Sequence, residues 1–175
     1  MPATEYVILV DDQDQEIGTA EKMLAHQKNQ RHRAFSIFLF QGADRILLQQ
    51  RALGKYHSPG LWTNACCSHP QPGEDLLVAG QRRLQYELGI TTSLKNIGWF
   101  HYIAHFANGL SENENDHVLV GEIMPEVRIM PNPEEVLAYR WVTLAGLEEE
   151  LKAHPQQFTP WFAEAYGMVK KSRVD

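Results

Sequence analysis

Between Leu53 and Glu74 the chain reads LGKYHSPGLWTNACCSHPQPGE, with glycines and prolines but neither a helical nor a strand period. So long an irregular connection is unusual in a compact domain unless its backbone is folded into a site. Regular patterning bounds it on both sides. Ala34 to Phe40 and Arg45 to Gln50 are apolar runs around the turn Gln41-Gly42-Ala43-Asp44, which predicts a hairpin. From Glu74 to Leu88 a helix is expected, with Leu77, Gly80, Leu84 and Leu88 on one stripe and Gly89 as its stop. Arg83 and Glu87, four apart, fall on an adjacent face.

The remaining elements follow from the same patterns. Tyr6 to Val10 predicts a strand closed by a polar turn, Asp11 to Glu16, and Glu21 to Lys28 a short helix. Trp99 to Phe106 and Val118 to Met124 read as strands with a polar loop between them, and Val136 to Val142 as a further strand. Leu144 to Ala153 and Pro160 to Lys171 predict two closing helices. Strands mixed with a few helices, without strict alternation, indicate an α+β domain with α/β/α layering. With 175 residues, 43% of them hydrophobic, one domain spanning residues 1–175 is expected.

Several classes of function are disfavoured at this point. The formal net charge of -6 argues against nucleic acid or an anionic membrane as the main partner. No run approaches the roughly 20 apolar residues that span a bilayer, so no membrane insertion is expected. The N-terminal stretch lacks a basic region and reads as an opening strand, which predicts a cytoplasmic protein. Cys66 and Cys67 are neighbours, too close for an unstrained disulfide, so a reduced compartment and a thiol with a chemical task come into view.

Eight histidines in a small acidic chain raise the question of a metal. His26 and His32 do not share a helical face, and converge only if the chain bends between Gln27 and Arg31. On spacing alone the plainer reading is two surface histidines. In SENENDH, Ser111 to His117, an extended backbone would turn Glu112, Glu114 and Asp116 to one side. Carboxylates so placed repel unless a cation or a proton lies between them. Taken alone, the plainer reading of this segment is a solvated acidic loop. Cys67 stands two residues before His69; a thiolate there serves as nucleophile or base, and packing is an equally common use for a cysteine.

The end of the expected helix, RRLQYELGI, resembles the REUxEExGU segment of Nudix proteins, and Glu74 matches that pattern's earlier glutamate. Arg83 and Tyr86 replace two of its carboxylates, and Ser68 stands where its glycine belongs, so a Nudix scaffold with a different occupation is implied. Nearly the whole chain is similar to the type I isopentenyl-diphosphate isomerases. The similarity is carried by EKMLAH (21 to 26), HRAFSIFLF (32 to 40), QRALGKYHSPGLWTNACCSHP (50 to 70), RRLQYELG (82 to 89), FHY (100 to 102), SENENDH (111 to 117) and FTPW (158 to 161). The His26–His32 interval is one residue shorter than a common spacing in that family.

That resemblance implies a Nudix-like mixed sheet flanked by helices, and a buried pocket with two metal positions. His26, His32, His69, Glu112 and Glu114 would hold a first-row divalent ion, manganese or zinc. Magnesium would join with substrate, on Glu87 and the backbone carbonyl of Cys67. Lys22, Arg51, Lys55 and Arg83 would bind a diphosphate through charge-assisted hydrogen bonds. The implied reaction interconverts isopentenyl and dimethylallyl diphosphate through a carbocation-like species. Glu114, assisted by Tyr102, would protonate one face; Cys67 would remove a proton on the other; Trp161 would lie over the cation. A monomer or weak dimer is expected. The competing readings are a Nudix pyrophosphohydrolase, which the missing carboxylates disfavour, and a metal-stabilised binding module without turnover.

Overall fold

The computed structural model describes residues 4–174. In chain order the elements are β1 (Tyr6–Val10), β2 (Glu16–Glu21), α1 (Lys22–Gln27), β3 (His32–Gln41), β4 (Arg45–Arg51), β5 (Trp62–Thr63), β6 (Cys66–Ser68), α2 (Leu76–Leu88), β7 (Lys95–His105), β8 (Ser111–Glu122), β9 (Val136–Thr143), α3 (Leu144–Ala153) and α4 (Phe162–Val174). All the strands join in one mixed sheet, with helices packed on it: the layered α+β arrangement expected. No helix among the described residues is long and apolar enough to cross a membrane.

β3 organises the sheet. It runs parallel to β8, from His32 opposite Glu114 to Phe40 opposite Glu122, and β7 flanks β8 on the other side. Along the first part of β3, the short β6 pairs antiparallel, Ser36 lying opposite Cys67. Because successive residues of a strand point to opposite faces, β3 divides its side chains in two. Phe35, Ile37 and Leu39 join Leu84 and Leu88 of α2 in one core layer. Phe38 and Phe40 join Phe162 and Tyr166 of α4 in the other. His32, Ala34 and Ser36 lie at the even positions before Phe38, so one strand face passes from polar to apolar along its length.

Three expectations need correction. Glu16–Glu21 is a strand, paired with β1, where only the end of a turn was read. Its residues are nearly all exposed, so no buried apolar alternation marks it as a strand. The polar segment between the predicted strands Trp99 to Phe106 and Val118 to Met124 is largely the first half of β8, and Glu112, Glu114 and Asp116 are buried in it. The acids thus alternate to one side, and the solvated-loop reading fails. The central helix begins at Leu76, two residues later than expected, because the Asp75 carboxylate accepts the Leu77 and Val78 N–H groups as the N-cap.

Gly80 sets how closely α2 approaches the sheet. A Cβ there would lie 2.8 Å from Leu94 Cδ1 and 3.1 Å from Leu119 Cδ1. A larger residue must displace buried, close-packed side chains, a cost that exceeds the gain in helix propensity over glycine. Gly80→Val is expected to lower stability by about 1–3 kcal/mol, read as a shift in the denaturant midpoint; an unchanged midpoint would show that α2 can move off the sheet freely.

Candidate active site

The irregular segment, the first halves of β3 and β8, and Trp161 just before α4 close around an open cavity. Its lining includes Cys67, His69, Glu112, Glu114, Lys22, Arg51, Lys55, Arg83 and Trp161. Nine of the residues singled out from the sequence therefore share one wall or another of a single cavity. His26 and His32 sit behind that lining, fully buried. Tyr102 is buried on β7, its ring 6.1 Å from that of Trp161. Glu87 is buried on the α2 side of the sheet. Glu74 does not line the cavity: it forms a two-point ion pair with Arg82 at 2.8 and 3.0 Å.

The three imidazoles converge as one group. His26 and His32 have ring centroids 4.9 Å apart, and His32 and His69 5.0 Å apart. The bend that brings the first two together passes through Asn29, whose φ of 54° is left-handed. The His26 Nδ1–H donates to the Lys22 carbonyl (2.6 Å) and the His32 Nδ1–H to the Gln30 carbonyl (2.8 Å). Each therefore turns its Nε2 inward: that of His26 has no hydrogen-bond partner among the described residues, and that of His32 faces the Glu114 carboxylate, which, against burial, pushes His32 upward. Burial and the neighbouring rings push His26 down, and His69 much further, so both favour the neutral form that binds metal.

Glu114 lies against this group, with Oε2 2.8 Å from His69 Nε2 and 3.3 Å from His32 Nε2. Burial pushes its carboxyl up most strongly of any single cause, but the hydrogen bond and charge of His32, with Glu112 and His26 adding to them, together hold it at about 2. Burial and the Glu114 charge push Glu112 the opposite way, upward, and its Oε1 has no hydrogen-bond partner among the described residues. Ligand atoms of His26, His32 and His69 lie within 4.8 Å of one another, as do those of His26, His57 and Glu112. Imidazole nitrogens and carboxylate oxygens at that spacing, several of them orphaned and buried, fit a divalent transition ion.

Period two also separates the neighbouring cysteines. Cys66 packs into the α2 layer, where its Sγ donates to Glu87 Oε2 at 3.1 Å. Cys67 points to the other face and into the cavity, with Trp161 Nε1–H donating to its Sγ at 3.2 Å and Asn64 Oδ1 3.2 Å away. Both thiols are free. Burial, with the Asp116 carboxylate adding to it, pushes the Cys67 thiol up to about 12. In the unliganded protein Cys67 is therefore a thiol, and a base only when something draws its proton away.

Each basic residue of the cavity has a partner. Lys22 pairs with Glu5 at 2.7 Å, Lys55 pairs with Glu135, and Arg83 spans Glu87 at 2.8 Å and Glu135 at 3.6 Å. The Arg51 guanidinium packs 5.5 Å from the Trp161 ring and donates to the His57 carbonyl. Sequence reasoning missed Glu5, Glu135, Ser36, Asn64 and His57. His57 alone carried a signal, as a histidine inside the irregular segment; the others are ordinary polar residues until the fold brings them together.

The protein matches the NUDIX domain family over residues 30–162. It is 47% identical over 173 residues to the isopentenyl-diphosphate Delta-isomerase of Aliivibrio fischeri, covering 95% of each chain. It is 51% identical over 171 residues to that of Photobacterium profundum, covering 94% of each. The chain belongs to the isopentenyl-diphosphate Delta-isomerase family, within the NUDIX fold. Among solved structures it is similar in fold to a MutT protein from Methanosarcina mazei, with TM-score 0.65, 16% identity, and 83% of this chain and 96% of that one covered. Membership of that family fits a helix α2 whose Nudix-type segment turns Glu87 inward but leaves Tyr86 exposed.

Two outcomes test this geometry. Iodoacetamide labelling of Cys67, followed by mass spectrometry, is expected to keep accelerating as pH rises past 10, since at pH 9 only about a thousandth of a thiol near 12 is ionised. Levelling near pH 9 would mark an ordinary thiol. A divalent transition ion at 100 times its Kd is expected to raise stability by about 2.7 kcal/mol, and His26→Ala to remove most of that gain; an equal gain in the variant would exclude His26 as a ligand.

Proposed function

We propose that the protein interconverts isopentenyl and dimethylallyl diphosphate by adding a proton to one face of the alkene and removing one from the other. The observation that carries this reading is the cavity itself, lined by the Cys67 thiol, the Glu114 carboxyl and the Trp161 ring, with buried imidazoles behind it. Membership of the isomerase family supports the same reaction.

An unactivated alkene reacts with an acid at carbon, and the tertiary cation that follows must meet no water and no good nucleophile. The Trp161 π-face stabilises positive charge without offering an atom to attack it. Glu114 delivers the proton, with the Tyr102 hydroxyl, buried and without a hydrogen-bond partner among the described residues, as its companion. Burial and the nearby Glu112 and Glu114 charges push Tyr102 upward, so it remains a neutral donor rather than an anion. A lone Glu114 is ionised, so it must share the proton of the carboxyl pair before it can act; burial and mutual repulsion of Glu112 and Glu114 favour keeping one there. On the opposite side Cys67, as the thiolate left once its own proton has passed to solvent, removes a proton from the carbon nearer the diphosphate and ends as the thiol. A cationic centre makes that C–H bond acidic, which offsets the weak ionisation of the thiol.

Lys22, Lys55 and Arg83 bind the diphosphate by exchanging their present carboxylate partners for phosphate oxygens, and Arg51, which pairs with the Trp161 ring and the His57 carbonyl, adds its Nε–H. A manganese or zinc ion held by His26, His32, His69, Glu112 and Glu114 would act as a Lewis acid that orients Glu114, and magnesium on Glu87 and the Cys67 carbonyl would neutralise the diphosphate. The two free neighbouring thiols suit a reducing cytoplasm.

The reaction is tested by NMR of the metal-loaded protein with isopentenyl diphosphate and magnesium in D₂O. Dimethylallyl diphosphate carrying deuterium is the expected product, with turnover abolished in Cys67→Ala and reduced by about 10²–10⁴ in Glu114→Gln. Unchanged substrate would overturn the isomerase reading, and released phosphate would support a hydrolase instead. Tyr102→Phe with full turnover would remove Tyr102 from the proton path.

A further inference from the structure

His57 stands in the irregular segment and belongs to none of the roles above. Its side chain is buried, and its Nε2 lies 3.2 Å from Glu112 Oε2. The ring is held on three sides. It stacks on Phe106 at 4.7 Å with 9° between the planes, and the edges of Trp161 and Tyr56 approach at 5.8 and 4.5 Å. Arg51 donates to its backbone carbonyl, tying the main chain of the segment to the cavity wall.

As a metal ligand Glu112 is ionised and only accepts, so its contact with His57 then places a proton of the ring on Nε2. The other nitrogen, Nδ1, then has a lone pair for the Ser58 hydroxyl, 3.3 Å away. That arrangement satisfies both ends of the ring. The lone pair on Nδ1 is then taken up by Ser58, and Nε2, carrying its hydrogen, offers none to a metal. Glu112, by contrast, has one oxygen against His57 and one, Oε1, without a hydrogen-bond partner among the described residues. His26 Nε2, likewise orphaned, is close enough that His26, His57 and Glu112 form a compact group.

We propose that His57 is a positioning residue of the metal centre, whose Nε2–H holds Glu112 Oε2 so that Oε1 is presented to the ion beside His26 Nε2. The inference rests on reading the imidazole cluster as a metal centre, and adds to it a residue that acts through Glu112 and does not touch the ion. It also links the centre to the cavity. The ring that orients Glu112 packs between Phe106 and Trp161, so the wall over the substrate and the ligand set share one side chain.

The test uses the whole protein stripped of metal and titrated with Mn²⁺ alone. His57→Leu removes the donor and is expected to weaken Mn²⁺ binding about 10- to 100-fold. His57→Gln retains an N–H at similar reach and is expected to stay within about threefold of the parent. The thermal midpoint of each metal-free variant, unchanged from the parent, separates this from a loss of packing. Electron spin-echo spectroscopy of the Mn²⁺ form is expected to show the same number of bound imidazole nitrogens in His57→Gln as in the parent. One nitrogen fewer would make His57 a ligand and overturn the proposal, as would parent-like affinity in His57→Leu. Failure of the parent itself to bind Mn²⁺ would instead overturn the metal-centre reading.

Discussion

The parallel pairing of β3 with β8 is the constraint from which the site follows. His32 lies opposite Glu114 and Ala34 opposite Asp116 in one ladder, and β6 on the other side of β3 sets Cys67 opposite Ser36. A slip of one residue in either pairing would turn every side chain of the moving strand to the other face. Cys67 would exchange places with Cys66, and Glu114 would leave the imidazoles. Register is held against that slip by the apolar halves of the same strands. Phe38 and Val118 must meet α4, and Ile37 and Leu119 must meet α2. Burial of the core at one end of the ladder thus fixes the chemistry at the other.

That arrangement also explains which parts were legible in advance. The core helices and strands announce themselves by period, because each shows one apolar face: the Leu77, Leu84 and Leu88 stripe of α2 is an example, and α3 runs from Leu144 to Ala153 as patterned. β2 was invisible because its residues face solvent, and exposed edge strands carry no hydrophobic alternation. The start of β8 was ambiguous for the opposite reason. Its buried positions are acidic, so composition reads as loop while geometry makes it a central strand. Buried acids of this kind are tolerated only among compensating groups, and none of those groups is adjacent in sequence.

The site residues divide along the same line. Those with chemically distinctive side chains, such as Cys67, His69 and Glu114, were found from motif resemblance, and the fold brings them to one cavity. Residues that contact the distinctive ones, such as Glu5, Glu135, Asn64 and His57, do not stand out until distances are known. Glu135 lies far along the chain from both Lys55 and Arg83, yet contacts each of them.

These carboxylate partners give the cavity a second property. Without a ligand, Glu5 and Glu135 hold Lys22, Lys55 and Arg83 in place, so the bases are neither solvent-ordered nor mutually repelled. On the proposed reading, an incoming diphosphate would displace these ion pairs, at a cost in affinity, and would find the donors already near the positions in which they bind it. A monoanionic ligand would gain too little from that exchange to replace the resident carboxylates. A diphosphate, with its higher charge and several oxygens in reach of different donors, gains more with each one. On that reading, the cavity's own acids would thus favour the more highly charged ligand.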